Sequence, residues 1–152
     1  MEKELLKEKI TSLLPSAVFD ESGEWLNVQA EAGEFKTFMY KLRNDQELIF
    51  DYLFCLTSVD WKTHLTMVYH LTSTHDRNRA VVVKVKLDTA FPRIDTVSDI
   101  WRTAEFHERE VFDLFGVQFT GHPDLRRILL TDDWNGWPLR KDYSDPVNMI
   151  KL

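Results

Sequence analysis

The 152-residue sequence contains one cysteine, five glycines and five prolines, and it has no long apolar run. A lone Cys55 excludes an internal disulfide and cannot supply the several thiolates of an iron–sulfur cluster or a structural zinc site. If the protein belongs to redox chemistry, the redox groups must sit elsewhere. No stretch approaches the roughly 18 apolar residues of a spanning helix, and the amino-terminal MEKELLKEK is too charged for the core of a signal peptide, so the chain reads as soluble and unexported. Positive charge is also short: 19 Lys and Arg face 25 Asp and Glu, a net charge of −6, which argues against free nucleic-acid binding. Glycine-rich phosphate loops, a nucleophile elbow and His-Glu-x-x-His are all missing.

What is present suits one folded domain: 43% of residues are hydrophobic, 12% aromatic and 29% charged. Leu6, Ile10, Leu13 and Leu14 recur at helical spacing until Pro15. Leu26, Val28 and Ala30 alternate as in a strand, and Phe35, Phe38, Met39 and Leu42 mark a core-facing helical stripe. Tyr52 to Val59 predicts a buried strand, and the alternations at 65–71 and 81–87 predict a hairpin with one wet face, carrying His64, His70 and His75 at its surface. From Val97 to Phe115 the apolar positions return at helical steps, predicting a helix of about 28 Å capped at its start by Asp95, Thr96 or Ser98 and at its end by Gly116. This order predicts an α+β fold: an antiparallel or mixed sheet with flanking helices and a long irregular C-terminal arm. The expected division is an α+β domain over residues 1–116 and an arm over 117–152, with a short strand at 117–120.

The arm holds Leu125, Ile128, Leu129, Leu130, Trp134, Trp137 and Tyr143, which are costly to leave in water. An irregular segment this long is uncommon in a compact domain. It is therefore expected to pack partly on the domain and partly against a partner protein, with Trp, Tyr and Arg as anchors.

The densest charge cluster is Glu105, His107, Glu108, Arg109, Glu110 and Asp113. Glu108 falls inside the apolar stripe and needs a buried partner; Arg126, Arg127 and Arg140 of the arm are the candidates. One reading makes Glu108 the pin that holds the arm, and the other a general acid or base. Arg109 stands four residues from both Glu105 and Asp113, the spacing of surface pairs on a helix. His107 and Glu110 share a helix face without a second ligand pair, and His122, before Pro123, suits a turn residue bonding backbone groups.

The run EREVFDLFGVQFTGHPDLRRILL, Glu108 to Leu130, closely resembles the 30-kDa subunit family of respiratory complex I, the NADH-quinone oxidoreductase. The continuation DDWNGWPLRKDY, Asp132 to Tyr143, resembles it too, although Ser144-Asp145-Pro146 stands where many relatives have proline directly. By position, Glu108, Arg109, Glu110, Asp113 and Gly116 match the helix-end motif. Gly121, His122, Pro123, Asp124, Arg126 and Arg127 match the turn, and Trp134, Gly136, Trp137, Pro138, Leu139, Arg140, Lys141 and Asp142 the docking arm. The resemblance implies a peripheral-arm subunit without cofactor, metal or catalytic residues of its own. Its implied partners are the large quinone-site subunit and iron–sulfur subunits, with NADH, FMN, iron–sulfur clusters and quinone held by those neighbours. It also implies the cytoplasmic face of a cell membrane, or the equivalent face of an organelle membrane; the lack of a presequence points to a bacterial or organelle-encoded chain rather than an imported one. Alternatives are the equivalent subunit of a membrane-bound hydrogenase or related complex and, from another class, a stand-alone acid/base enzyme built on His107, Glu108 or Glu110.

Overall fold

The computed structural model describes residues 2–147 and 149; the end of the expected arm, 148 and 150–152, lies outside the described residues. The chain runs α1 (Lys3–Leu13), β1 (Val18–Asp20), β2 (Leu26–Ala30), α2 (Ala32–Asn44), β3 (Tyr52–Asp60), β4 (His64–Ser73), β5 (Asp76–Asp88), β6 (Arg93–Asp95), α3 (Ala104–Phe115) and β7 (Gln118–Thr120). The fold is α+β, as expected.

Five strands form a mixed sheet in the order β1-β2-β5-β4-β3, in which β2 and β5 are parallel and the other pairs antiparallel. The inward residues of β4 and β5, Leu65, Met67, Tyr69 and Leu71 against Val81, Val83, Val85 and Leu87, are buried under the apolar stripes of the helices. Those stripes are the ones the spacing marks, Leu6 and Ile10 on α1 and Phe35, Phe38, Met39 and Leu42 on α2. The hairpin's other face is less wet than its alternation suggests, because Thr66, Val68 and Val82 are also buried.

α3 differs from expectation at its start. It has 12 residues rather than the length expected from Val97, or about 18 Å. Residues 96–103 form turns instead, with Ile100 and Trp101 both donating to the carbonyl of Val97 and Trp101 Nε1 donating to the carbonyl of Phe50. The two Val97 bonds close a single local turn and the indole's tertiary bond to Phe50 holds it apart from the helix, so the N-cap is Thr103 and not Asp95, Thr96 or Ser98. The end is as expected: Gly116 closes the helix at φ 77°. Directly after it, β7 pairs in parallel with β6 as a second, two-stranded sheet.

Candidate functional site

α3 is buried on two sides. One meets the core, and the other is covered by residues 126–137 of the arm, so the helix carries two carboxylates with no solvent exposure, Glu108 and Asp113.

Asp113 is the centre of the arm's attachment. Its Oδ1 accepts from Arg127 Nη1 at 2.9 Å. Its Oδ2 accepts from three successive backbone N–H groups, those of Ile128, Leu129 and Leu130, at 3.2, 2.7 and 3.0 Å. Burial pushes the Asp113 carboxyl up, but the Arg127 guanidinium and the three N–H groups outweigh it and hold the carboxyl below its ordinary value. Three aligned donors and one guanidinium are what a desolvated carboxylate requires to stay ionised.

Arg127 spreads this anchor through the arm. Its Nη1 also donates to the carbonyl of Asp113 at 2.8 Å, and its Nη2 donates to the carbonyls of Trp134 and Gly136 at 3.0 and 2.9 Å. The guanidinium lies 4.5 Å from the Trp137 ring centroid, and that ring packs at 5.3 Å on Phe112. A Cβ on Gly116 would come within 2.7 Å of Trp137, so the helix end is shaped for the indole as well as for the turn. From the helix side, Arg109, itself buried, donates to the carbonyls of Arg126 and Arg127 at 3.1 and 3.0 Å. Further along, Leu139 N–H donates to the carbonyl of Leu114, and Arg140 Nη2 to that of Thr89 at 2.8 Å. Lys141 N–H donates to Asp60 Oδ2 at 2.9 Å.

His122 behaves as the turn residue expected. Its Nδ1 accepts from Asp124 N–H at 3.0 Å, which leaves Nε2 to donate to the carbonyl of Glu105 at 2.9 Å. Glu110, Pro123, Asp124, Arg126, Lys141 and Asp142 are exposed, with Arg126 paired to Asp124 at 3.0 Å. Trp134 is half-buried.

Two expectations are corrected. Glu108 does not reach Arg126, Arg127 or Arg140: its Oε1 takes the Thr96 hydroxyl and its Oε2 the Val97 N–H at 3.0 Å, so it ties the helix to the turn after β6. The arm's pin is Asp113. Nor is the Asp113 side of Arg109 a surface, because the arm covers both residues.

Glu108 has the weaker set of partners. Burial pushes its carboxyl up to about 7, against the opposing hydrogen bonds of Thr96 and Val97 and the charge of Lys36. The Tyr69 hydroxyl is fully buried without a hydrogen-bond partner among the described residues; burial and the Glu108 charge raise its pKa well above 10.

Sequence reasoning overlooked Asp60 and, beyond offering Thr96 as a helix cap, the bond from Thr96 to Glu108. Asp60 leaves a signal in hindsight: it ends a strand and accepts from Lys62 N–H at 2.8 Å, where Lys62 has φ 70°, an Asx turn two residues before the next strand. Thr96 leaves none. Among the described residues no three His, Cys, Asp or Glu side chains gather as a metal site, and no helix is long and apolar enough to cross a membrane.

An α+β domain whose buried charges fasten an irregular C-terminal arm to its last helix is the kind of protein this geometry defines. The family described as "Respiratory-chain NADH dehydrogenase, 30 Kd subunit" matches residues 28–147, and the chain belongs to it. It is 43% identical over 126 residues to the C/D subunit of the NADH-quinone oxidoreductase of Phocaeicola vulgatus, covering 82% of this chain and 24% of that protein. It is 44% identical over 111 residues to the corresponding C subunit of Chloroherpeton thalassium, covering 72% of this chain and 46% of the relative. The chain thus spans about a quarter and about half of those two proteins; of the C subunit from a Roseiflexus species, 40% identical over 141 residues, it spans 80%. Among solved structures it is similar to a trypsin-resistant fragment of Nqo5, with a TM-score of 0.70 and 31% identity over 82% of this chain and all of the fragment. It is also similar to a chain of the membrane-bound sulfane sulfur reductase, described as an archaeal respiratory membrane complex, with a TM-score of 0.79 and 29% identity over 93% of this chain and 85% of that one.

Proposed function

We propose that this chain is a structural subunit of the peripheral arm of a proton-translocating NADH:quinone oxidoreductase, carrying no redox centre or catalytic residue of its own. In this reading the neighbours hold NADH, FMN, the iron–sulfur clusters and quinone. The chain docks on the large quinone-site subunit and on iron–sulfur subunits, at the cytoplasmic face of the membrane.

The observation that carries the reading is how the arm divides its groups. Its Arg127 head group and the N–H groups of 128–130 turn inward onto Asp113, while Leu129 and Leu139 remain 64% and 53% exposed and Ile128 40%. A segment whose N–H groups at 128–130 are held internally and whose large apolar side chains are exposed is suited to bury those side chains on another protein. Glu110 and Phe106 are exposed on the same helix, Phe106 against the Arg109 guanidinium.

The test is to tag the chain in its host, solubilise the membranes gently and compare the native protein with Leu129→Asp/Leu139→Asp. Neither side chain is part of the anchor, so the isolated variant should melt as the native chain does. The expected result is recovery of the native chain with NADH-binding, iron–sulfur and quinone-site proteins and NADH:quinone reductase activity, both reduced at least tenfold in the variant. Equal recovery from native and variant chains would refute docking through the arm.

The likeness to the sulfane sulfur reductase chain favours a second reading, the equivalent subunit of another membrane electron-transfer complex such as a membrane-bound hydrogenase. Recovery of hydrogenase or sulfur-reductase subunits in place of NADH-binding ones would select it.

A further inference from the structure

The five-stranded sheet buries one face under the helices and leaves the other without a helix. The clefts on that outer face are lined by residues 18–29 and 52–86, strands and their loops only. The face is nonetheless a trough. The loop bearing Trp25 rises along one side and Trp61 along another, and at the bottom Thr66, Val68 and Val82 are buried although no element lies over them.

The two ends of the trough differ. At one end Trp25, Phe54 and His70 form an aromatic cluster, with ring centroids 5.5 to 5.9 Å apart and Tyr52 against Phe54 at 6.2 Å. His70 Nδ1 is buried there without a hydrogen-bond partner among the described residues. Burial, and then the charge of Lys84, lower its pKa, so the ring is neutral at pH 7. Lys84 rises from β5 midway along the trough, lining the cleft of Trp25 and His70 as well as that of Trp61, and Lys86 stands at the other end with Val59 and Trp61. Asp20 and Glu24 line the same clefts and the Lys84 charge helps to lower the Asp20 pKa, but among the described residues neither lysine has a carboxylate within ion-pair distance, and Lys86 is the more open of the two to an outside carboxylate.

We propose that this trough is a second docking surface and that its occupant is an acidic, amphipathic α-helix of a partner protein. The strands beneath it, β4 and β5, are central in the sheet and their ladders are complete, so no strand can be added there. A ligand on this face has to satisfy its own backbone, and a helix does. Along β4 from His64 to Thr72 the trough is about 27 Å long, which matches roughly 18 helical residues. The helix's apolar stripe would fill the space between the aromatic cluster and Trp61, and its carboxylates would meet the two lysines. No arm residue lines these clefts, although Lys141 reaches Asp60 between Val59 and Trp61, and the inference holds whichever complex the chain enters.

The test uses the tagged chain in its own membranes, with a photo-reactive benzophenone amino acid in place of Val59, and sequencing of the cross-linked peptides. The expected adduct is one peptide of one partner protein, with Asp or Glu three or four residues apart. Its yield should fall at least fivefold with Lys84→Glu/Lys86→Glu and return when those partner carboxylates are changed to Lys. Lys86→Glu alone, which spares the neighbourhood of Asp20, should lower the yield about twofold, and it guards against a folding defect in the double variant. Adducts with lipid only, adducts with a second copy of this chain, no protein adduct, or a yield indifferent to both lysine variants would overturn the proposal.

Discussion

Glu108 and Asp113 stand five residues apart on one helix, both without solvent exposure, and the protein treats them in opposite ways. Asp113 faces the arm and receives a guanidinium and three backbone N–H groups, which hold it ionised. Glu108 faces the sheet and the turn after β6. It receives one hydroxyl and one N–H, so burial prevails and its carboxyl titrates at about 7. Equal burial therefore does not fix the charge of a carboxylate; the number and kind of donors aimed at it do. One carboxylate fastens the arm, and the other joins two parts of the domain.

Replacing the stronger of the two should have the largest effect. Asp113→Asn leaves the Arg127 charge buried without its counter-ion, so a loss of about 3–5 kcal/mol is expected in urea unfolding at pH 7. Residues 126–137 should also become cleavable by protease. A loss below about 1 kcal/mol would show that the anchor is incidental.

The second prediction concerns pH, where the two carboxylates pull in opposite directions. Glu108 has a folded pKa of about 7 against an ordinary 4.5, so between those values the folded state binds more protons and stability falls as pH rises. Asp113 has a lowered folded pKa, so its contribution is present above 3.8 and is lost as pH falls through the folded value. Native stability should therefore be highest near pH 5 and decline by up to about 3 kcal/mol toward pH 8. Glu108→Gln places a neutral amide there, whose oxygen can accept from Val97 N–H while its NH2 donates to the Thr96 hydroxyl oxygen, reversing that one bond; it should remove most of that decline, as pH-dependent unfolding would reveal. An unchanged slope would show that Glu108 is ionised in the fold.

A smaller effect is expected from Gly116→Ala. An L-residue at φ 77° costs about 1–2 kcal/mol, and the added Cβ would displace Trp137. Thermal unfolding should show the loss, and tryptophan fluorescence should show the displaced indole. Smallest in stability is Arg126→Glu. Arg126 is exposed and, among the described residues, its side chain pairs only with Asp124, so unfolding should move by less than about 0.5 kcal/mol while recovery of partner proteins falls. Arg127→Glu should behave like Asp113→Asn, and the two adjacent arginines thereby separate docking from folding.

Much of the domain was legible because its core obeys simple periods. The stripes of α1 and α2 and the alternation of β4 and β5 fall where the spacing puts them. β1 was not legible, being three residues long with no buried side chain. The parallel pairing of β2 with β5 joins strands about 55 residues apart and leaves no local mark. The expected start of α3 lies too early because Val97, Ile100 and Trp101 keep helical spacing with Ala104 while forming turns ahead of it. In the site, the need of Glu108 for buried partners was readable and their identity was not. Asp113 read as a surface residue because what buries it is the arm, which follows in sequence and has no periodicity of its own.

The central claim is that the arm is ordered by Asp113 in the chain itself, before any partner is met. Amide hydrogen exchange of the isolated native chain tests it most directly, read at Ile128, Leu129 and Leu130 beside the same amides in Asp113→Asn. The account predicts that these three amides exchange at least a hundredfold more slowly than unstructured ones in the native chain and lose that protection together in the variant. Free exchange in the native chain would contradict it, and would make the partner, not Asp113, the agent that shapes the arm.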